Sequence, residues 1–255
     1  MTVRPAHPLP AQPGGPAARG HRNDLGIYDA VAADWWSDEV RWLRTLRNLV
    51  PGRFAWFDRH IDWPGHEVLD LGCAGGFMAE ALTEKGARVT GIDPAGQAVE
   101  AARLRAAARG QDIRYDVGVG EALPYGAQAF DAVVCVDVLE HVEDVVRVLA
   151  EVARVLRPGG LFLYDTINRN LLSRFGVVTL AEDVLGLLPK GTHDPDLFIK
   201  PKELCRALMD AGLVAGPTRG LGPRGIDRRR DFVFGPVPVR SVIFMGVARK
   251  PGAFR

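Results

Sequence analysis

The sequence is short of cysteine and of long apolar runs. Its 255 residues include three cysteines, Cys73, Cys135 and Cys205, and no C-x-x-C pair. This spacing predicts neither a disulfide framework nor a zinc site, and it favours a reduced, cytoplasmic protein. No apolar run approaches the roughly 18 residues that cross a bilayer, and the N-terminus has no apolar signal core. We therefore expect neither a membrane span nor secretion.

The sequence also lacks an excess of either charge. It has 32 basic and 31 acidic side chains, so the formal net charge is +1. A protein that binds nucleic acid usually carries a basic field, and none is expected here. A small-molecule partner is favoured over a nucleic acid, and the composition leaves the oligomeric state open.

The domain organisation follows from a change in composition near residue 25. Residues 1–24 contain five prolines and few apolar side chains, which predicts a disordered tail. Residues 25–255 are predicted to form one domain. Within it, residues 25–64 have apolar side chains at helical spacing, including Val31, Trp35 and Trp42, and should form an N-terminal helical cap. Residues 168–200 are too long for an ordinary connection and are predicted to be a lid or substrate wall.

Strand-like and helix-like segments alternate between these two regions. The runs EVLDLG, RVTGID, FDAVVCVDV and LFLYDTI are almost continuously apolar, as expected of parallel strands that are covered on both faces. The alternation predicts an α/β fold with a doubly wound, mainly parallel sheet and helices on both faces. The later run RSVIFMGVAR predicts an antiparallel strand close to the sheet edge.

A glycine-rich turn joins the first strand-like run to a helix in EVLDLGCAGGFMAEAL. Gly72, Gly75 and Gly76 would let the backbone approach a ligand at the carboxyl end of the sheet. The dinucleotide fingerprint G-x-G-x-x-G is not met, because Ala74 and Phe77 replace its second and third glycines, so NAD is disfavoured. Asp93 ends the next strand, where a carboxylate can accept both hydroxyls of a ribose.

The glycine turn together with Asp93 resembles the class I S-adenosylmethionine (SAM)-dependent methyltransferases. That resemblance implies a Rossmann-like fold with a seven-stranded sheet, and SAM as the cofactor. Five stretches, one of which contains the glycine turn, resemble the O-methyltransferases of ubiquinone biosynthesis, which methylate a ring hydroxyl of a polyprenylated catechol or hydroquinone. They are YDAVAADWW, VLDLGCAGG, VDVLEH, TINRN and PKGTHDPDLFIKP.

The family resemblance implies a set of cofactor-binding residues. The cofactor carboxylate would meet an arginine of the segment VPGR, and the adenine would lie near an acidic residue after the third strand. The residues so implied are Arg53, Asp70, Gly72, Cys73, Ala74, Gly75, Asp93, Pro94, Glu121, Ala122, Val136 and Val138.

The segment VDVLEH matches a family pattern, E-x-x-E-H, that is implicated in binding a divalent metal. The implied ligands are Asp137, Glu140 and His141. A strand end followed by one helical turn can bring such positions to one side. Two carboxylates suit Mg²⁺ and an imidazole suits a softer ion, so the identity of the divalent cation is open. Such an ion lowers the pKa of a phenol, which would then attack the methyl sulfonium. Asp137 is one methylene shorter than the family glutamate.

Other interpretations of these residues remain open. Without a metal, His141 is the best candidate general base, and His193 in KGTHD is the second. The run Arg228–Arg230 departs from the family pattern, so the acceptor could instead be a specialised polyketide, phenolic or sugar metabolite. A third hypothesis is a SAM-binding scaffold without catalysis.

The segment VVTLAEDVLGLL, residues 177–188, has an amphipathic helical pattern. We expect it to pack on the core. The alternative is a wall for a lipid-like substrate or a peripheral membrane contact, although the segment lacks the basic polar face of an interfacial helix.

Overall fold

The computed structural model describes residues 23, 26–184 and 188–252, so the predicted disordered tail lies outside the described residues except for Asn23. The strands are β1 (Glu67–Leu71), β2 (Arg88–Asp93), β3 (Ile113–Val117), β4 (Phe130–Cys135), β5 (Leu156–Ile167), β6 (Val214–Ile226), β7 (Phe232–Val237) and β8 (Ile243–Arg249). Over this part of the chain they form one eight-stranded sheet in the order β3-β2-β1-β4-β5-β8-β6-β7.

Helices cover both faces of the sheet. They are α1 (Gly26–Ala30), α2 (Arg41–Phe57), α3 (Phe77–Glu84), α4 (Gly96–Arg109), α5 (Val145–Val155), α6 (Leu171–Ser173) and α7 (Pro201–Asp210), with a 3₁₀ turn at Ala32–Asp34 and a π-helical segment at Arg174–Val184. Among the described residues, no helix combines the length and apolar character needed to cross a membrane.

The strands β1 to β5 form the predicted doubly wound half of the sheet. β1 pairs in parallel with β2 on one side and with β4 on the other, and β4 pairs in parallel with β5. Side chains on both faces of β4 are fully buried, among them Val133 and Val134, which explains the continuous apolar run. The chain order reverses between β1 and β4, and a ligand crevice is expected there at the carboxyl ends of the strands.

The antiparallel half of the sheet differs from the prediction. The sheet has eight strands rather than seven, and β8 pairs with both β5 and β6 instead of lying near the edge. The sequence pattern does not indicate β6 and β7, because glycine and proline interrupt the alternation in both strands. At Gly220 a Cβ atom would lie 1.8 Å from the Val239 carbonyl oxygen, so close backbone approach requires glycine there.

The described part of residues 25–64 is helical and packs on the glycine turn. Trp35 is 2% exposed and its ring lies 5.4 Å from that of Phe77 at the start of α3. The Trp36 indole nitrogen donates to the carbonyl oxygen of Gly75 at 3.0 Å. The N-terminal cap therefore holds the turn that follows β1.

The insertion after β5 contains α6, the π-helical segment and a loop that returns to α7. Val177 and Val178 are buried and cluster with Ile167 and Phe198, as expected for core packing. The predicted helix over 177–188 is π-helical as far as Val184, and its residues 185–187 lie outside the described part. π-Helical turns are rare and often occur at functional sites.

Candidate active site

A cavity of about 890 Å³ opens at the carboxyl ends of β1, β2 and β4. Its size lies within the range of small-molecule and cofactor sites, roughly 300–1,000 Å³. Gly72 follows β1, Asp93 ends β2 and Val136 follows β4, and all three line the cavity. The switch point of the sheet therefore forms a site of cofactor size.

The glycine turn is shaped by two close contacts. Gly72 has a φ of +80°, and a Cβ atom there would lie 2.1 Å from the Val138 Cγ2. At Gly75 a Cβ atom would lie 2.1 Å from the Cδ1 of Trp35. Gly72 thus provides the left-handed backbone conformation of the turn beside the cavity. Gly75 leaves room for the indole ring of Trp35 to pack against the turn.

Asp93 is fixed at the cavity wall by backbone donors. Its Oδ2 accepts from the Ala74 N–H at 2.9 Å, and its Oδ1 accepts from the Ala95 N–H at 2.8 Å. Burial raises the pKa of the Asp93 carboxyl, while these hydrogen bonds oppose the shift. Each oxygen keeps a further lone pair, so the carboxylate can accept two hydroxyl groups of a ligand.

The cavity is strongly acidic. Its lining includes seven carboxyl groups, Asp29, Asp70, Asp93, Glu121, Asp137, Glu143 and Asp144, against two guanidinium groups, Arg53 and Arg147. Burial, and secondarily the neighbouring Asp93, raises the pKa of Asp70 to about 7. Even without Asp70, six carboxyl groups face two guanidinium groups, and this excess of negative charge favours a cationic ligand such as the sulfonium of SAM.

Most of the predicted cofactor-binding residues lie where they can meet a ligand. Those that line the cavity are Arg53, Asp70, Gly72, Cys73, Ala74, Asp93, Pro94, Glu121, Val136 and Val138. Gly75 and Ala122 are not among the lining residues. Gly75 is covered by Trp35, and Ala122 is exposed, while Gly118, Val119 and Gly120 line the cavity beyond β3.

Arg53 forms a largely buried ion-pair network at the cavity wall. Its Nε donates to the Asp165 Oδ2 at 2.6 Å, and its Nη2 donates to the Asp137 Oδ2. The Asp165 Oδ1 accepts from the Asp137 N–H at 2.8 Å. Arg53 is 2% exposed and Asp165 fully buried. The contact of Arg53 with the cofactor carboxylate stays a prediction, whereas the structure shows that Arg53 joins α2 to the ends of β4 and β5.

Asp137 lies in a conformation that few residues other than glycine adopt. Its φ is +54°, in the left-handed region, which aspartate tolerates better than most residues. Both its carboxylate and its N–H are engaged by the Arg53 network. The structure thus places this predicted metal ligand in an ion pair. Sequence reasoning missed Asp165, whose signal was a single acidic residue inside the apolar run LFLYDTI.

Glu140, His141 and His193 form a buried group that could hold a metal ion. One ligand atom from each lies within 4.8 Å of the others. The Glu140 Oε2 accepts from the Thr166 hydroxyl at 2.8 Å, whereas the Glu140 Oε1 and the His141 Nε2 are buried without a hydrogen-bond partner. Burial, and secondarily Asp137, raises the pKa of Glu140 to about 8. Buried polar atoms without partners are costly unless a ligand satisfies them.

His193 reaches this group from the insertion. The Glu182 Oε1 lies 2.7 Å from the ring Nδ1 of His193 and also accepts a hydrogen bond from the backbone N–H of His193. The Glu182 Oε2 accepts from the backbone N–H of Gly191. The ring centroids of His193 and His141 are 5.0 Å apart. The structure therefore brings together the two histidines that the sequence identified separately as candidate bases.

Comparisons with known proteins agree with this geometry. The Methyltransferase domain family matches residues 69–164. A protein named "Ubiquinone biosynthesis O-methyltransferase" from Stutzerimonas stutzeri is 39% identical over 199 residues, which are 78% of this chain and 85% of that protein. One with the same name from Burkholderia pseudomallei is 36% identical over 208 residues, 81% of this chain and 89% of that protein.

Solved structures support the same fold. A SAM-dependent methyltransferase from Thermotoga maritima, described as a possible histamine N-methyltransferase, aligns with a TM-score of 0.62 at 17% identity, covering 89% of this chain and all of that one. A SAM-dependent methyltransferase from Methanosarcina mazei aligns with a TM-score of 0.57 at 22% identity, covering 77% and 97%. The sequence identity to the curated proteins shows that the chain belongs to the SAM-dependent methyltransferases, in the family of the ubiquinone biosynthesis O-methyltransferases.

Proposed function

We propose that this protein methylates a ring hydroxyl of a catechol- or hydroquinone-like molecule, with SAM as donor and with the help of a divalent cation. The observation that carries the proposal is the pair of buried polar atoms without a hydrogen-bond partner, the Glu140 Oε1 and the His141 Nε2, whose residues are grouped with His193. His141 also lines the cavity, so the group adjoins the cofactor space. The names of the relatives support a quinone-pathway acceptor.

The residues of the cavity suit SAM, whose sulfonium supplies an electrophilic methyl group. Asp93 would accept the ribose hydroxyls, because its carboxylate is held at the wall by the Ala74 and Ala95 amides. The acidic lining would favour the positive charge of the cofactor. The remaining task of the chain is to align an acceptor oxygen with the methyl carbon and the sulfur and to remove the hydroxyl proton.

The donor set at Glu140 suits a first-row transition ion better than Mg²⁺. One carboxylate and two imidazoles are typical ligands of such ions, whereas Mg²⁺ prefers oxygen. An ion bound there would lower the pKa of a phenolic hydroxyl beside it. Asp137 stays with Arg53 in this proposal and is not a ligand.

A second candidate has His141 as a general base without metal. The ring lies at the cavity and its Nε2 has no hydrogen-bond partner, which favours this candidate. Burial, and then the neighbouring His193, lowers the pKa of His141 to about 3. A base whose pKa lies that far below neutrality is a poor proton acceptor from a phenol of pKa near 10. Metal assistance is therefore the better-supported proposal.

Calorimetry with S-adenosylhomocysteine and a simple catechol tests the proposal. We expect S-adenosylhomocysteine to bind with or without metal, and the catechol to bind only when Mn²⁺ or, more weakly, Mg²⁺ is present. The variants Glu140→Gln and His193→Ala should abolish the metal effect. The variant His66→Ala, before β1 and outside the cavity lining, is the matched control and should keep it. Catechol binding of equal affinity with and without metal would contradict the proposal.

A panel of prenylated and unprenylated catechols separates the possible acceptors. Turnover of the prenylated compounds supports a quinone precursor. Turnover of unprenylated compounds alone would favour a specialised phenolic metabolite, to which the departure at Arg228–Arg230 points. Tight cofactor binding without methyl transfer to any hydroxylated acceptor would support a scaffold protein instead.

A further inference from the structure

Asn23 contacts both histidine-bearing segments of the site. Its backbone N–H donates to the Gly191 carbonyl oxygen at 2.8 Å, two residues before His193. Its side-chain Nδ2 donates to the His141 carbonyl oxygen at 3.2 Å, and its Oδ1 lies 2.6 Å from the His141 Nδ1. The φ of Asn23 is +72°, a left-handed conformation that asparagine adopts more readily than most residues.

These contacts determine where the proton of the His141 ring lies. A carbonyl oxygen only accepts hydrogen bonds, so the NH₂ group of the Asn23 amide must face the His141 carbonyl. The amide oxygen then faces the Nδ1, and because that oxygen also only accepts, the Nδ1 must carry a hydrogen. A neutral imidazole has one N–H, so the lone pair is on the Nε2. The Nε2 is the atom that is buried without a partner.

We propose that Asn23 is a positioning residue, which fixes His141 in the Nδ1–H tautomer and thereby directs the Nε2 lone pair to the site that His141 shares with Glu140 and His193. The inference rests on the proposed function for the use of that lone pair. The hydrogen bond from the Asn23 N–H to the Gly191 carbonyl also connects Asn23 to the loop that carries His193. Asn23 therefore orients the ring of His141 and holds the loop of His193.

The arrangement of the two histidines supports this assignment. Histidine ligands of metal ions commonly donate their second N–H to an oxygen acceptor, which fixes the ring and its tautomer. Glu182 occupies that position for His193, and the Asn23 amide oxygen occupies it for His141. The two acceptors come from opposite parts of the chain, so neither is evident from the spacing of the ligands. Removal of such an acceptor typically weakens metal binding by about 10- to 100-fold.

Two substitutions separate tautomer control from support of the backbone. Asn23→Gly removes the amide but tolerates the positive φ and keeps the N–H that bonds to Gly191. Asn23→Asp keeps an oxygen acceptor opposite the His141 Nδ1, so it should preserve the Nδ1–H tautomer although it loses the donor to the carbonyl. A purely structural role predicts no difference between these variants in the state of the ring.

Nitrogen NMR of isotopically labelled histidine in the metal-free protein, with S-adenosylhomocysteine bound, measures the His141 tautomer directly. We expect the Nδ1–H form in the wild type and in Asn23→Asp, and a loss of that preference in Asn23→Gly. The Mn²⁺ affinity of Asn23→Gly should fall by about 10- to 100-fold. A circular dichroism spectrum that matches the wild type shows that the variant is folded.

Two outcomes would overturn the inference about Asn23. One is an Nε2–H ring in the wild type, and the other is an Asn23→Gly variant with an unaltered tautomer. Failure of the proposed function is distinguishable from both. In one such result, the wild type binds no divalent cation while His141 still loses its Nδ1–H preference in the Asn23→Gly variant. The metal proposal would then fail, and the assignment of Asn23 would be supported.

Discussion

Substitution of Arg53 by methionine removes the cation of a buried ion-pair network. Arg53 is 2% exposed, and the carboxylate of Asp165 that it contacts through its Nε is fully buried. The variant leaves the carboxylates of Asp165 and Asp137 close together without a counter-charge, and methionine has no group that could replace the lost hydrogen bonds. Breaking a buried pair in this way typically costs about 3–5 kcal/mol.

A matched control is Arg88→Met at an exposed ion pair. Arg88 contacts Glu67 through its Nε, and these side chains are 63% and 35% exposed. Exposed pairs contribute about 0–1 kcal/mol, so this variant should unfold close to the wild type. For a chain of this size, about 3–5 kcal/mol lowers the melting temperature by roughly 6–20 °C. We therefore expect a clear separation of the two variants.

Urea denaturation followed by circular dichroism gives the free energies of unfolding of both variants. A third variant, Arg53→Met combined with Asp165→Leu, also removes the fully buried carboxylate and should be less destabilised than Arg53→Met alone. Equal stability of Arg53→Met and Arg88→Met would show that the buried ion pairs of Arg53 do not stabilise the fold more than an exposed pair does. A double variant destabilised by the sum of its single substitutions would show that Arg53 and Asp165 are not coupled.

Two further substitutions test the glycine turn and the acidic cavity. Gly75→Ala places a Cβ 2.1 Å from Trp35 and should cost about 1–3 kcal/mol in urea denaturation, whereas Gly96→Ala, with no atom within 4 Å, should be neutral or slightly stabilising. The pKa of Asp70 is raised from 3.8 to about 7, so the folded state holds its proton longer than the unfolded state and stability falls as pH rises across this window. Asp70→Asn has no such titration, so without cofactor its free energy of unfolding should rise relative to that of the wild type by up to about 4 kcal/mol between pH 3.8 and pH 7. A difference in unfolding free energy that does not vary with pH would contradict this.

The sequence predicts the parallel half of the fold because four of its five strands, β1, β2, β4 and β5, lie in nearly continuous apolar runs bounded by turns. β6 escapes prediction because its glycines and prolines hide the alternation, and its pairing with β8 depends on contacts between distant segments. That pairing also explains why β8 is not near the edge. Local patterns describe such a strand poorly, since what stabilises it is the neighbour that it meets in the folded chain.

The residues of the candidate site also differ in how far they can be predicted from local sequence. Asp93 and the glycine turn are predictable because strand, turn and helix are adjacent in sequence. The partners of Asp137 are not, because Arg53 and Asp165 are 84 and 28 residues away in the chain. The contact of Asn23 with His141 spans 118 residues and depends on a segment that composition alone assigns to a disordered tail. These long-range polar contacts had no signal in the local pattern.

Metal-assisted methylation by this protein can be measured as methyl transfer from SAM to a catechol, with mass spectrometry of the product. The protein is assayed after removal of divalent cations and again after addition of Mn²⁺. We predict a singly methylated product that is lost on metal removal and restored by Mn²⁺, with no restoration in Glu140→Gln. Equal product formation by the metal-free and the Mn²⁺-loaded protein would contradict a role of the divalent cation in methyl transfer.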